Sequence, residues 1–158
     1  MKTLADIFEH TLEDVYYAEN AITKALPKVA KAATDAKLRK AAEEHLAETK
    51  SQIRKLEKVF KSIGKKATGE KCDAIEGLIK EADGVAKEAS GTALNAGLLA
   101  ACQAVEHYEI SRYGALREWA KALGHDEAHK LLSEILDQEK ATNNKLTNLA
   151  VTEINRKK

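Results

Sequence analysis

Apolar side chains recur along this chain at spacings of three, four and seven residues over long stretches, the period of an α-helix that buries one face. Four such stripes can be followed. The first is Phe8, Leu12, Val15, Glu19, Ile22, Leu26, and the second Leu38, Ala42, His45, Thr49, Gln52, Leu56. The third is Leu98, Cys102, Val105, Glu109, Leu116, and the fourth Leu132, Ile135, Glu139, Leu146. Long one-sided helices must bury their stripes against one another, which directs the chain toward an all-helical bundle. Each stripe also carries one ionisable side chain. Unpaired charges in a core cost several kcal/mol, so three carboxylates and an imidazole on four buried faces require a positive partner. The simplest such partner is a metal.

The bulk composition fits this reading. Its 158 residues suffice for one domain with a full core. Only 2 are Phe, 1 is Trp and 1 is Pro, while alanine, leucine, lysine and glutamate dominate. The 26 basic and 25 acidic residues leave a formal charge of +1, which argues against nucleic-acid binding through a global field. No apolar run approaches the ~20 residues of a membrane span. Asp6 and Glu9 interrupt the N-terminus before a signal-like stretch forms. Cys72 and Cys102 lack CxxC spacing and do not make a disulfide framework. A cytoplasmic location is the expectation.

Punctuation residues divide the chain into five predicted helices, with bounds good to a few residues: α1 over about 4–33, α2 about 37–63, α3 about 74–89, α4 about 92–123 and α5 about 126–153. Pro27 falls inside α1 and is expected to kink it. Thr34 or Asp35 can cap α2, Asp73 can cap α3, and Gly64 and Gly124 can stop α2 and α4. Two tight helical hairpins, α1–α2 and α4–α5, are thus joined by a long link carrying the short α3. One long crossover in a four-helix bundle is the connectivity of ferritin-like folds, so a single ferritin-like domain over 1–158 is expected. A shift of 90 residues supports it by setting Val15 on Val105, Glu19 on Glu109 and Leu56 on Leu146 in the same helical phase. Two related hairpins would bring Glu19 and Glu109 in from facing sides.

Dimetal-carboxylate sites in bundles take a Glu from each of two helices and a Glu-x-x-His pair from each of the other two. Here α1 and α4 supply Glu19 and Glu109, with Glu106 one turn earlier at the edge of the α4 stripe. Helix α2 offers His45 and Glu48, the pair in reverse order, and α5 offers Glu139 with Thr142 where a histidine would sit. The candidate metal ligands are therefore Glu19, His45, Glu48, Glu106, Glu109 and Glu139. A donor set rich in carboxylate and poor in imidazole suits iron, with manganese as the alternative. The rival reading pairs a core glutamate with Arg112, the one base near the stripes at that level.

At these residues the chain resembles a known group. The stretches Glu13 to Glu19, His45 to Thr49, Val105 to Ile110, Cys72 to Ile79 and Glu139 to Thr142 are similar to the YciE/YciF stress-response family of bacteria. The resemblance spans nearly the whole chain, and Glu106-His107-Tyr108-Glu109 is its most specific part. It implies a ferritin-like domain, a homodimer and a dinuclear metal site. The off-stripe apolar residues Ile79, Leu99 and Trp119 could meet either α3 or a partner subunit. Two functions stay open. One is a di-iron protein acting on oxygen or peroxide, or sequestering metal under stress. The other is a non-catalytic bundle acting through dimerisation or partner binding. No P-loop, GxGxxG or nucleophile elbow supports other chemistry.

Overall fold

The helices begin where a side chain can satisfy the first free backbone N–H groups. Thr3 Oγ1 accepts from the Asp6 N–H at 3.1 Å, while the Asp6 carboxylate accepts from the Thr3 N–H at 3.0 Å, a reciprocal cap that opens α1, Leu4–Ala32. Asp35 accepts from the N–H groups of Lys37 and Leu38 at 2.9 and 3.1 Å and opens α2, Ala36–Ser62. In the computed structural model, which describes residues 1–157, there follow α3 (Asp73–Glu88), α4 (Gly91–Ala122), α5 (Asp126–Thr152) and a 3-10 turn at Ile154–Arg156. The chain is all-helical, with no strand among the described residues. No helix among those residues is long and apolar enough to cross a membrane.

Gly64 and Gly124 follow α2 and α4 with φ of 71° and 73°, the left-handed conformation that ends a helix at low cost only for glycine. One local reading changes. Asp73 does not cap α3: Cys72 holds that position, buried with its sulfur 3.0 Å from Tyr108 Oη, and Asp73 is the first helical residue. Its charge still suits that end of the helix dipole. Pro27 lies inside α1, as expected, with its ring exposed.

Helix α1 packs on α2, and α4 on α5; contacts of α2 with α5 and of α1 with α4 close these four into a ring. Helix α3 lies against α4 and α1. The close approach of α3 and α4 depends on Gly97, where a Cβ would stand 2.7 Å from a methyl of Val85. Leu99, expected to face outward, is buried in one cluster with Val85 and Ala86 of α3. Ile79 packs half-buried beside Ile22 and Leu26, and Trp119 against the cluster containing Phe8 and Leu116. All three are thus engaged within the chain.

The core falls into apolar zones separated by a polar level. Phe8, Leu12, Leu56, Phe60, Leu116 and Leu132 form one zone, and Leu38, Leu98, Leu99, Leu146 and Ile154 another. Between them along the helices lie the buried Glu19, Thr49, Gln52, Glu106, Glu109 and Glu139.

The turn between α1 and α2 is bolted to the start of α4 by one side chain. Asn95 Oδ1 accepts from the Thr34 and Asp35 N–H groups at 3.0 and 3.1 Å, and its amide donates to Thr34 Oγ1 at 2.7 Å. Asn95→Ala leaves those groups without partners and is expected to cost about 2–3 kcal/mol. Urea unfolding should show a lower midpoint with an unchanged slope; an unchanged midpoint would mean that the bolt contributes nothing.

Candidate metal centre

The polar level is built by one helix face at a time. Helix α4 turns Glu106 and Glu109 inward, α5 turns Glu139, α2 turns His45 and α1 turns Glu19. Burial is complete or nearly so: Glu19, Glu106 and Glu139 are 0% exposed, Glu109 1% and His45 4%. One ligand atom from each of His45, Glu106, Glu109 and Glu139 can be chosen so that all four lie within 4.8 Å of one another. Glu19 adjoins this group, with its carboxyl against that of Glu109 and its charge felt by Glu139. Tyr113, fully buried on α4, donates its hydroxyl to Glu19 Oε1.

The geometry leaves donors and acceptors unanswered. Both carboxylate oxygens of Glu106, Glu109 and Glu139, together with Glu19 Oε2 and His45 Nε2, have no hydrogen-bond partner. His45 Nδ1 stands 3.1 Å from Glu106 Oε1, within ion-pair distance but out of hydrogen-bond alignment. Buried polar groups are normally satisfied, so this cluster of orphaned oxygens is one that could hold a cation. The donor set, oxygen-rich with one imidazole, fits a hard or borderline divalent ion.

Electrostatics follow from the same burial. Loss of water pushes Glu19 and Glu109 well above the ordinary carboxylate range, and the neighbouring Glu139 charge pushes in the same direction. Glu106 is pushed up to about 11, by desolvation first and then by Glu139. Glu139 is also raised, chiefly by burial. Burial holds His45 down at about 4, so its ring is neutral near pH 7. Without a cation, several of these carboxyls hold protons.

The rival pairing with arginine is not realised. Arg112 lies half-buried with its guanidinium 5.4 Å from the Tyr108 ring centre, and both Glu109 oxygens are without partners. Of the six residues expected as ligands, Glu106, Glu109, Glu139 and His45 come together, and Glu19 joins them through Glu109. Glu48 stands apart at the rim, half-buried, accepting the Thr142 hydroxyl at 2.8 Å and lying 3.8 Å from Lys145 Nζ. Glu106 lies at the centre, not at the edge of its stripe. The signal was available, since Cys102, Glu106, Glu109 and Tyr113 follow at four, three and four residues. Tyr113, one turn beyond Glu109 on the same face, is the hydrogen-bond partner of Glu19. Tyr16 points elsewhere, donating to Glu57 at 3.2 Å. Thr49 and Gln52 complete the polar wall from α2.

Comparison with known proteins places this geometry in a family. Protein YciF of Escherichia coli (strain K12) is 46% identical over 159 residues, covering 99% of this chain and 96% of its own. The crystal structure of the Escherichia coli stress protein YciF matches with a TM-score of 0.95, over 99% of this chain and 100% of that one. The structure of YcfI from Rhodopseudomonas palustris, provisionally described as a structural protein, matches with a TM-score of 0.89 at 50% identity, over 92% and 94% of the two chains. The model of the domain of unknown function DUF892 matches residues 3–158, and the chain belongs to that family.

Proposed function

We propose that this chain is a ferritin-like four-helix bundle whose polar level holds two divalent metal ions, iron first and manganese as the alternative. Its role is then stress-linked handling of that metal or of a small oxidant, in keeping with the stress protein to which it is similar. The observation that carries the reading is the set of orphaned, buried carboxylate oxygens on Glu19, Glu106, Glu109 and Glu139. Four ionised carboxylates would be neutralised by two divalent cations, and no buried lysine or arginine is present among the described residues to do it instead. Glu106, Glu109, Glu139 and His45 would hold the ions, with Glu19 closing the far side.

Bound iron would supply one-electron redox chemistry toward oxygen or peroxide. The chain's own part is to position and to shield. Tyr113 keeps its proton, because burial and the Glu19 charge push its hydroxyl far up, so it serves as a hydrogen-bond donor that fixes the Glu19 carboxylate. His45 is neutral and presents a free Nε2 lone pair or N–H according to tautomer. The apolar zones on either side keep bulk water away from the carboxylates.

A second reading, a purely structural bundle, draws on the description of the Rhodopseudomonas palustris relative. Glu109→Gln separates the two. Under the metal-centre reading, ferrous or manganous ion raises the melting point of the wild type, by about 2.7 kcal/mol of stability at a hundredfold excess over Kd. The variant loses most of that gain, while its metal-free form melts no lower than wild type, since Gln is neutral like the protonated carboxyl it replaces and adds no repulsion as pH rises. A wild type indifferent to metal, with a variant that melts markedly lower, would sink the metal centre.

Metal-free stability should also depend on pH in a set direction. The buried carboxyls bind protons more tightly folded than unfolded, so their contribution is complete below about pH 4.5 and is lost as pH rises, up to about 11 for Glu106. His45 acts oppositely, adding stability as pH climbs from about 4 to its ordinary 6.5. Above 6.5 only the carboxyls count. The metal-free melting point is therefore expected to fall steadily from pH 6.5 to pH 9, and saturating metal should flatten that slope. A metal-free melting point that rises over the same range would contradict the assignment.

A further inference from the structure

We propose that Glu48 is the inlet station of the centre, the carboxylate that takes a divalent cation from solvent and passes it inward to His45 and Glu139. The inference rests on the metal-centre reading and concerns how the ions arrive. Two cavities reach His45. One lies beneath α3 and is walled largely by Ile22, Leu26, Val29, Ile79 and Val105. A cation crossing it would shed water with no oxygen to replace it, a loss of several kcal/mol. The other opens between α2 and α5; apolar side chains such as Leu38 and Leu146 form half of its wall, but Glu48, Thr142 and Lys145 stand in it too, and it also reaches His45. The polar route is the one a cation can use.

Its dimensions assign the work to Glu48. The cavity has room for about 20 Å³, a single water-sized occupant, so a hydrated ion must strip to pass. Glu48 follows His45 by one helical turn and therefore faces the same way. Its side chain is 30% exposed, in touch with solvent, while its charge acts on Glu106 and Glu139 inside. Its Oε2 accepts from Thr142 at 2.8 Å, so carboxylate and hydroxyl oxygens converge where an ion would lose its shell. Lys145, 62% exposed and 3.8 Å from Oε1, supplies a mobile positive charge that an arriving cation can displace.

The test uses the full chain and cobalt(II) as the probe, with stopped-flow absorbance for rates and titration for equilibrium affinity. A station that lowers one barrier acts in both directions. Glu48→Gln is thus expected to slow binding and release alike, about tenfold, within the range by which charged clefts alter rates. Affinity should stay within about twofold, as for rim charges that act on association. Lys145→Gln should speed binding. Thr142→Val keeps the side-chain shape and guards against a folding defect in Glu48→Gln; it should slow both rates less strongly. Faster release with weaker affinity in Glu48→Gln would make Glu48 a resident ligand and overturn the station. Unchanged rates in both variants would overturn it as well, with the centre intact. A wild type that takes up no cobalt would remove the centre and its inlet together.

Discussion

Four carboxylates face one another, buried, across the middle of this protein, with one neutral imidazole beside them and no buried lysine or arginine among the described residues to answer them. That crowding dictates much of what surrounds it. Helices α1, α2, α4 and α5 must be long enough to carry apolar residues above and below a polar level, because the level itself contributes repulsion or protonation, not cohesion. The adhesive surface is accordingly displaced to the two apolar zones. Helix α3 adds a third cluster around Ile22, Leu26 and Ile75, and it covers Leu99 of α4.

The helices themselves were legible from periodicity because every long one buries a single face, and the punctuation at Asp35, Gly64 and Gly124 acts locally. The inward glutamates were legible for the same reason, being apolar-phase positions with the wrong chemistry. What escaped was anything decided by a second helix. Glu106 shares a face with Cys102, Glu109 and Tyr113 but competes with Val105 for the same stripe, and only α2, facing α4 across the ring of four helices, makes it the residue opposite His45. Tyr113 acquires its role from α1, and Asn95 from the turn before α2. Leu99 looked like surface until α3 was laid over it. Such relations between helices have no periodicity of their own.

The internal resemblance of the two hairpins adds a contrast. A shift of 90 residues carries Glu19 onto Glu109, yet it carries His45 onto Ile135 and Thr49 onto Glu139. The imidazole and the α5 carboxylate therefore enter at different heights of their helices, and α4 brings a second glutamate where α1 has Tyr16. Whatever symmetry two related hairpins began with, the polar level no longer has it. Two sites within it would differ in donor set, one nearer the imidazole and the other nearer Glu19 and its tyrosine.

Cys102 stands in the wall of both cavities that end on His45. Burial first, and the Glu106 charge after it, push its thiol up to about 12. At neutral pH only about one such thiol in 10⁵ is a thiolate, the form that attacks peroxides. A soft, oxidisable atom thus sits beside the candidate metal centre in its least reactive state. The chain can keep a small packing residue there without building in a fuse.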